Sequence, residues 1–271
     1  MFLKKTAPVF LCLTVSLAAF GLARPASAQL GASDLPDLSG LAGAIEQSVK
    51  APPPAPPKGK VFSSGMAVPS VHPGAAAIGI APQMRESVEK KAGPNPAMKK
   101  LEESMPGLIT GLEAQMTKQG FAKRDLGVAA GLFFVGNWET ATKSTLPDPA
   151  EEAVIRTVAQ ASATKWKARF AALSPAAKEK TYESLLTGTA LLTIFAQSFD
   201  KAGKTQEAAG MRQAAAGLFE KVIGVPPTQV DIANDGRISG PAPTPPADAP
   251  PTDAPPANAP PAMDTPPSGK P

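Results

Sequence analysis

The residues that most readily do chemistry are scarce in this chain: one histidine, His72, and one cysteine, Cys12. Imidazole and thiolate supply most nucleophile–base pairs and most transition-metal ligands. Neither occurs between residues 97 and 240, so that stretch is left with carboxylates and hydroxyls. The best placed of these is the run Asn137-Trp138-Glu139, an amide, an indole and a carboxylate in succession. Such a trio suits the wall of a sugar- or amide-binding cleft. Asn137 and Trp138 are then the candidate ligand-binding residues and Glu139 the candidate general acid or base. The structural alternative puts Trp138 in the core, Asn137 against another helix and Glu139 in water. Tyr182-Glu183 offers a second carboxylate for a paired mechanism, although nothing in the sequence brings Glu183 to Glu139.

The remaining candidates carry less. His72 lies in Val71-His72-Pro73-Gly74, with no His, Cys or carboxylate within a dozen residues, and reads as a solvated loop histidine. The run Asp231-Ile232-Ala233-Asn234-Asp235-Gly236 partly matches a calcium loop. Such a loop wants oxygen ligands at its third position and a glutamate at its last; Ala233 and Ala242 stand there, so an Asn-Asp-Gly turn is the better reading. Gly127, Gly131 and Gly136 are not framed by a strand and a phosphate-binding loop. They suit a close approach of two helices instead. No metal site and no cofactor is expected.

The elements that would position these residues are helical. Leu101, Met105, Leu108, Leu112 and Met116 form a first apolar stripe, expected to bend or break at Pro106. Asp125 caps a second helix carrying Leu126, Phe133, Phe134 and Trp138. Asp148-Pro149 reads as cap and first turn of a third, whose buried face is Ile155, Val158, Ser162, Trp166, Phe170 and Leu173. Ser174-Pro175 opens a fourth with Tyr182, Leu185, Leu186, Thr189, Leu192, Phe195 and Phe199, stopped by Gly203. A fifth runs from about Thr205 to Ile223, with Ala208, Met211, Ala215, Leu218 and Val222 as a bundle seam. Val230-Asp231-Ile232 alone suggests extended chain, lying across the bundle. The fold class expected is all-α, an antiparallel bundle of about five helices.

Proline sets the organisation around that bundle. Of 32 prolines, 11 fall in 29–96, 6 in 97–240 and 13 in 241–271. Proline breaks helix interiors and cannot donate to a sheet, so 97–240 is the folded helical domain. Residues 29–96 are expected to be a Pro/Gly-rich disordered arm with a short helix near 38–50, on Leu38, Leu41, Ile45 and Val49, and a further turn or two over 83–91. Residues 241–271 repeat Ala-Pro-Pro units with too few apolar side chains to fold and too many prolines for helix or sheet, which predicts a disordered or polyproline II tail, solubilising or spacer-like.

Residues 1–28 read as a secretory signal peptide. Lys4 and Lys5 precede an apolar stretch from Ala7 to Leu22, and Ala26-Ser27-Ala28 gives the small-x-small cleavage pattern. Cys12, in mid-stretch, leaves with it. The expected destination is outside the cytoplasm, periplasmic or extracellular, in a bacterium, with no stable membrane insertion after cleavage. The whole chain has 27 basic and 23 acidic residues; removal of Lys4, Lys5 and Arg24 leaves 24 against 23. No run of five or six like charges remains, which speaks against nucleic acid and against a polybasic membrane tether. Lys165, Lys167 and Arg169 come nearest and read as a solvated face.

Several of these segments together resemble a known family. Gly120-Phe121, Asp125-Leu126-Gly127-Val128-Ala129 and Asn137-Trp138, followed by Phe170-Ala171-Ala172-Leu173-Ser174, Tyr182-Glu183-Ser184-Leu185 and Gly236, are similar to a bacterial exported all-helical family catalogued only as a domain of unknown function. The resemblance covers about 97–240. It implies a helical fold and export, and lends no activity and no site residues.

Three functional classes follow. The first is a non-catalytic binding or scaffold module of the cell envelope, with a protein or an envelope polymer as partner. The second is a carrier of an apolar ligand within the bundle. The third is a carboxylate-based glycan hydrolase acting through Glu139. The balance of residues leans away from an enzyme.

Overall fold

The computed structural model describes residues 61–79, 82, 86 and 96–240. The expected signal peptide, the helix near 38–50 and the Pro-rich tail lie outside the described residues, as does most of 83–91. Within them the fold is all-α, as the periodicity predicts. Five long helices follow in order: α1 (Pro96–Lys118), α2 (Leu126–Thr142), α3 (Asp148–Ala172), α4 (Pro175–Lys201) and α5 (Thr205–Ile223). A single 3-10 turn at Pro227–Gln229 leads into a two-stranded antiparallel hairpin, β1 (Asp231–Ile232) and β2 (Ile238–Ser239).

α2 is the central helix. Fourteen of its 17 residues are buried, against α3, α4 and α5. A helix apolar on all sides is stable only when surrounded, and α2 supplies almost nothing else. Asp125 caps it by accepting the Val128 N–H. Its approach to α3 depends on glycine: a Cβ on Gly131 would stand 2.6 Å from the Ile155 carbonyl oxygen, and one on Gly127 2.8 Å from that of Ala159. These pairings also show that α3 runs antiparallel to α2.

Two expectations on helix ends and breaks are corrected, and the extended segment expected at Val230 acquires a pairing partner. α1 continues through Pro106 without interruption. Leu101, Met105, Leu108, Leu112 and Met116 are all buried on one face to either side of it. Burying five large side chains at about 2 kcal/mol each outweighs the roughly 3 kcal/mol cost of an interior proline. α3 begins one residue early, with Pro147 at the cap position and Asp148 inside the first turn. The segment at Val230 is one arm of the hairpin, closed by Gly236 at φ +83 and seated on Ala150 and Ala153 of α3.

Residues 61–79, which the sequence groups with the N-terminal arm, lie along the bundle. Phe62, Met66 and Val68 point into the core, and the Phe62 ring meets Phe121 edge-on at 6.1 Å. We call this segment the strap. Its main chain pairs with the α1–α2 connection: Phe62 N–H donates to Gly120 O (2.7 Å), Ala122 N–H to Phe62 O (2.8 Å), and Val68 N–H to Arg124 O (2.7 Å).

The strap and the hairpin occupy opposite ends of the bundle. The strap meets residues 120–125, before α2, whereas the hairpin meets Trp138 near the end of α2 and the first turns of α3. The 13 residues from Asp125 to Trp138 set these two contacts about 20 Å apart along the α2 axis.

Candidate functional site

The run singled out by the sequence is divided among three tasks. Asn137 is fully buried between α2 and α4, where Nδ2 donates to Phe133 O (2.8 Å) and to Thr189 Oγ1 (2.9 Å). Its Oδ1 is buried with no hydrogen-bond partner in the protein. One turn on, Thr140 and Thr193 share a hydroxyl–hydroxyl bond of 2.8 Å, so the α2–α4 seam is polar at two successive levels. Trp138 is buried, and its Nε1 donates to Val230 O (3.0 Å), fixing the chain that leads into the hairpin. Glu139 is half-buried and accepts the Leu146 N–H (2.7 Å), bracing the α2–α3 connection.

Glu139 does line a cavity. Its walls include Leu112, Leu132, Val135, Leu186, Thr189 and a second carboxylate, Glu151 of α3. Glu183, the second carboxylate that the sequence offered without bringing it to Glu139, is engaged with the strap and is no part of this wall. The cavity measures about 20 Å³, room for one water-sized molecule. Pockets that hold drug-sized ligands run from about 300 Å³ upward. A sugar ring does not fit this cavity, and neither does an acyl chain.

The most elaborate polar assembly lies under the strap, and α4 supplies its centre. Glu179 and Glu183 stand one turn apart on the face that also carries Tyr182 and Leu186, and both carboxylates are buried. Glu179 accepts the N–H groups of Val71 (3.0 Å) and His72 (2.5 Å). It is also 2.5 Å from Nη2 of Arg124. Glu183 accepts from Gly74 (2.6 Å) and Ala76 (3.0 Å), the start of a short helical turn over 75–79. Arg124, held at φ +53, donates through Nε to Val68 O (3.1 Å) and through Nη2 to Pro69 O. Its N–H reaches the Tyr182 hydroxyl (3.1 Å), which in turn donates to Glu113 (3.2 Å).

Asp125 completes the clamp at the other end of the strap. One oxygen accepts from Ser64 Oγ (2.5 Å) and Val128 N–H (3.1 Å), the other from Ser63 Oγ (2.6 Å) and Ser64 N–H (2.8 Å). Three carboxylates and one guanidinium thus bind the strap chiefly through its main chain. No side chain of the strap beyond two serines takes part in these bonds.

The electrostatics of the two glutamates differ in sign. Burial acts against the Glu179 carboxylate, but the His72 and Val71 N–H groups and the Arg124 guanidinium together hold it below the ordinary glutamate value. For Glu183 burial prevails over the Gly74 and Ala76 N–H groups, and its pKa is raised. Burial, with the Glu113 charge beside it, pushes the Tyr182 phenol far above the usual tyrosine range.

His72, read as a solvated loop residue, has an exposed side chain and contributes only its N–H. Asp235 of the calcium-like run spends both oxygens on Arg237, and Gly236 closes the turn by donating to Ala233 O (2.8 Å). Among the described residues no group of three or more His, Cys, Asp or Glu side chains is placed to hold a metal ion. Glu179 and the capping bonds of Asp125 to the strap were missed by sequence reasoning. The signal was present: two glutamates four apart on the apolar face of α4 require buried partners.

The model of DUF6683, a family of unknown function, matches residues 41–236. The chain belongs to that family, and the match takes in the strap as well as the bundle. No curated protein and no solved structure matches the chain.

Proposed function

Starting from a family that lends no activity, we propose that the protein is a non-catalytic binding or scaffold module of the cell envelope, exported by way of residues 1–28. One observation carries this reading: the chain enters the packed bundle at the strap end and leaves it at the hairpin end, about 20 Å away along α2. The points at which the packed block meets its proline-rich flanks, Val61 and Gly240, are thereby set at different ends of it. The side-chain chemistry that the sequence offered is spent on holding that block together. Asn137 and Trp138 join elements, Glu139 braces a connection, and Glu183 grips the strap.

Deletion of the flanks tests this directly in cells. Removing 241–271, or the segment between the cleavage site and Lys60, lowers retention of the chain in the envelope fraction while its helical circular dichroism is unchanged. Retention independent of both flanks overturns the bridging role. Turnover of an envelope glycan that disappears in Glu139→Gln or Glu151→Gln at unchanged melting temperature replaces the scaffold by a hydrolase.

A further inference from the structure

The strap end combines two surface properties found together nowhere else among the described residues. The first is charge. The α1–α2 connection exposes Lys118 and Lys123, and the end of α3 exposes Lys167. Lys178, half-buried over the Phe170 ring at 4.8 Å, adds a further cation. Across 114–125 and 160–182 the acidic residues are Asp125 and Glu179, both buried and bonded to the strap. The half-buried Glu113 faces Arg124. The second property is apolar exposure. The exposed large hydrophobic side chains among the described residues are Val61, Val71 and Ile78, and all three belong to the strap. The Val71 N–H is bonded to Glu179 in the second turn of α4, at the same end of the bundle as these cations.

We propose that the strap end is a docking surface for an anionic lipid bilayer, drawn to it by these cations and anchored by Val71 and Ile78 of the strap. Charge complementarity names the partner's sign, and the exposed apolar side chains favour a lipid interface over a soluble polyanion. Binding of this kind is peripheral; among the described residues no helix is long and apolar enough to cross a membrane. The proposal rests on the reading of a non-catalytic envelope module and names one of its partners. It also gives the clamp a purpose. Val71 is held at its place by Glu179, and the turn that carries Ile78 is held by Glu183, so the two anchors are presented rigidly.

The test is co-sedimentation of the chain from Gln29 to Pro271 with vesicles of phosphatidylglycerol and phosphatidylcholine, against pure phosphatidylcholine. Binding is expected on the anionic vesicles alone and is expected to weaken steeply as salt is raised to about 0.5 M. Each cation near such a surface contributes roughly fivefold in partition. The exposed triple variant Lys118→Gln/Lys123→Gln/Lys167→Gln should therefore bind about 100-fold more weakly at unchanged melting temperature. Val71→Ser/Ile78→Ser should weaken vesicle binding while leaving retention on immobilised polyphosphate as it is in the wild type. Equal binding to both vesicles, no binding to either, or indifference to the triple variant overturns the proposal. So does vesicle binding by Val71→Ser/Ile78→Ser at the wild-type level, which would point to a soluble polyanion. Failure on vesicles with envelope retention still dependent on the flanks removes this partner alone and leaves the scaffold reading standing.

Discussion

Glu179 is the residue whose replacement says most about the strap. Glu179→Gln preserves volume and one acceptor oxygen but removes the charge. Three bonds are affected: those from the Val71 N–H, the His72 N–H and Arg124. A hydrogen bond to a charged group contributes about 1.5–3 kcal/mol and one between neutral groups about 0.5–1.5. Roughly 1 kcal/mol is therefore lost per bond, or about 3 kcal/mol in all, and the amide NH2 now faces donors. The loss falls on a peripheral element that opens without unfolding the bundle, since α2 keeps its contacts with α3, α4 and α5. A change of about 3 kcal/mol raises the opening constant of the strap on the order of 100-fold. Native-state hydrogen exchange reads this out. The amides of Val68 and Val71 should exchange about 100-fold faster, and limited proteolysis should cut within 61–79, while α2 and α4 amides keep their protection. Uniform acceleration of strap and core would refute the reasoning, because Glu179 would then hold the global fold rather than a clamp. Unchanged strap exchange would refute it equally.

The two glutamates should also respond oppositely to pH. Glu179 has a lowered pKa in the folded state, so its contribution is present above the ordinary value of 4.5 and is lost as pH falls below it. The gap between wild type and Glu179→Gln should narrow in urea unfolding below pH 4.5. Glu183 has a raised pKa, so the folded state takes up its proton first and the wild type gains stability as pH falls from neutral toward 4.5. The gap between wild type and Glu183→Gln should widen over that range; parallel curves would contradict both assignments. Gly131→Ala drives a Cβ against the Ile155 backbone and should cost roughly 2–3 kcal/mol in the same unfolding measurement, with no change counting against the close α2–α3 approach. Trp138→Phe removes the Nε1 bond to Val230 O and should cost about 1 kcal/mol, with faster exchange confined to the hairpin.

What the sequence discloses and what it hides divide along a physical line. Helix positions are legible because they are set by local rules: Asp125 and Ser174 cap α2 and α4, Gly203 and Gly224 stop α4 and α5, and the apolar stripes fall where the core lies. Pro106 misleads because the cost of one missing N–H is judged locally, whereas the burial that outweighs it is tertiary. The candidate site is less legible. Asn137-Trp138-Glu139 looks like a cleft because three polar groups adjoin in sequence. On a helix, adjacent residues face different ways, and these three reach α4, the hairpin and the α2–α3 connection in turn. The strap is hidden for another reason. Its bonds use main-chain N–H groups, which leave no mark on the residue types of 61–79.

The same distinction bears on how charge is read along the chain. A search for runs of like charge finds nothing, and the near-neutral balance of the expected mature chain suggests an unremarkable surface. An antiparallel bundle, however, brings alternate connections to the same end, so Lys118 and Lys123 share an end with Lys167 although more than forty residues separate them. Two acids at that end, Asp125 and Glu179, are withdrawn from the surface because the strap needs acceptors. Clamping the strap and leaving that end basic are thus one arrangement seen from two sides: a carboxylate that binds a main-chain N–H inside cannot offset a lysine outside. Opening the strap should therefore weaken any attraction of that end to an anionic surface twice over, by releasing Val71 and Ile78 and by returning Glu179 and Glu183 to the solvent among the lysines.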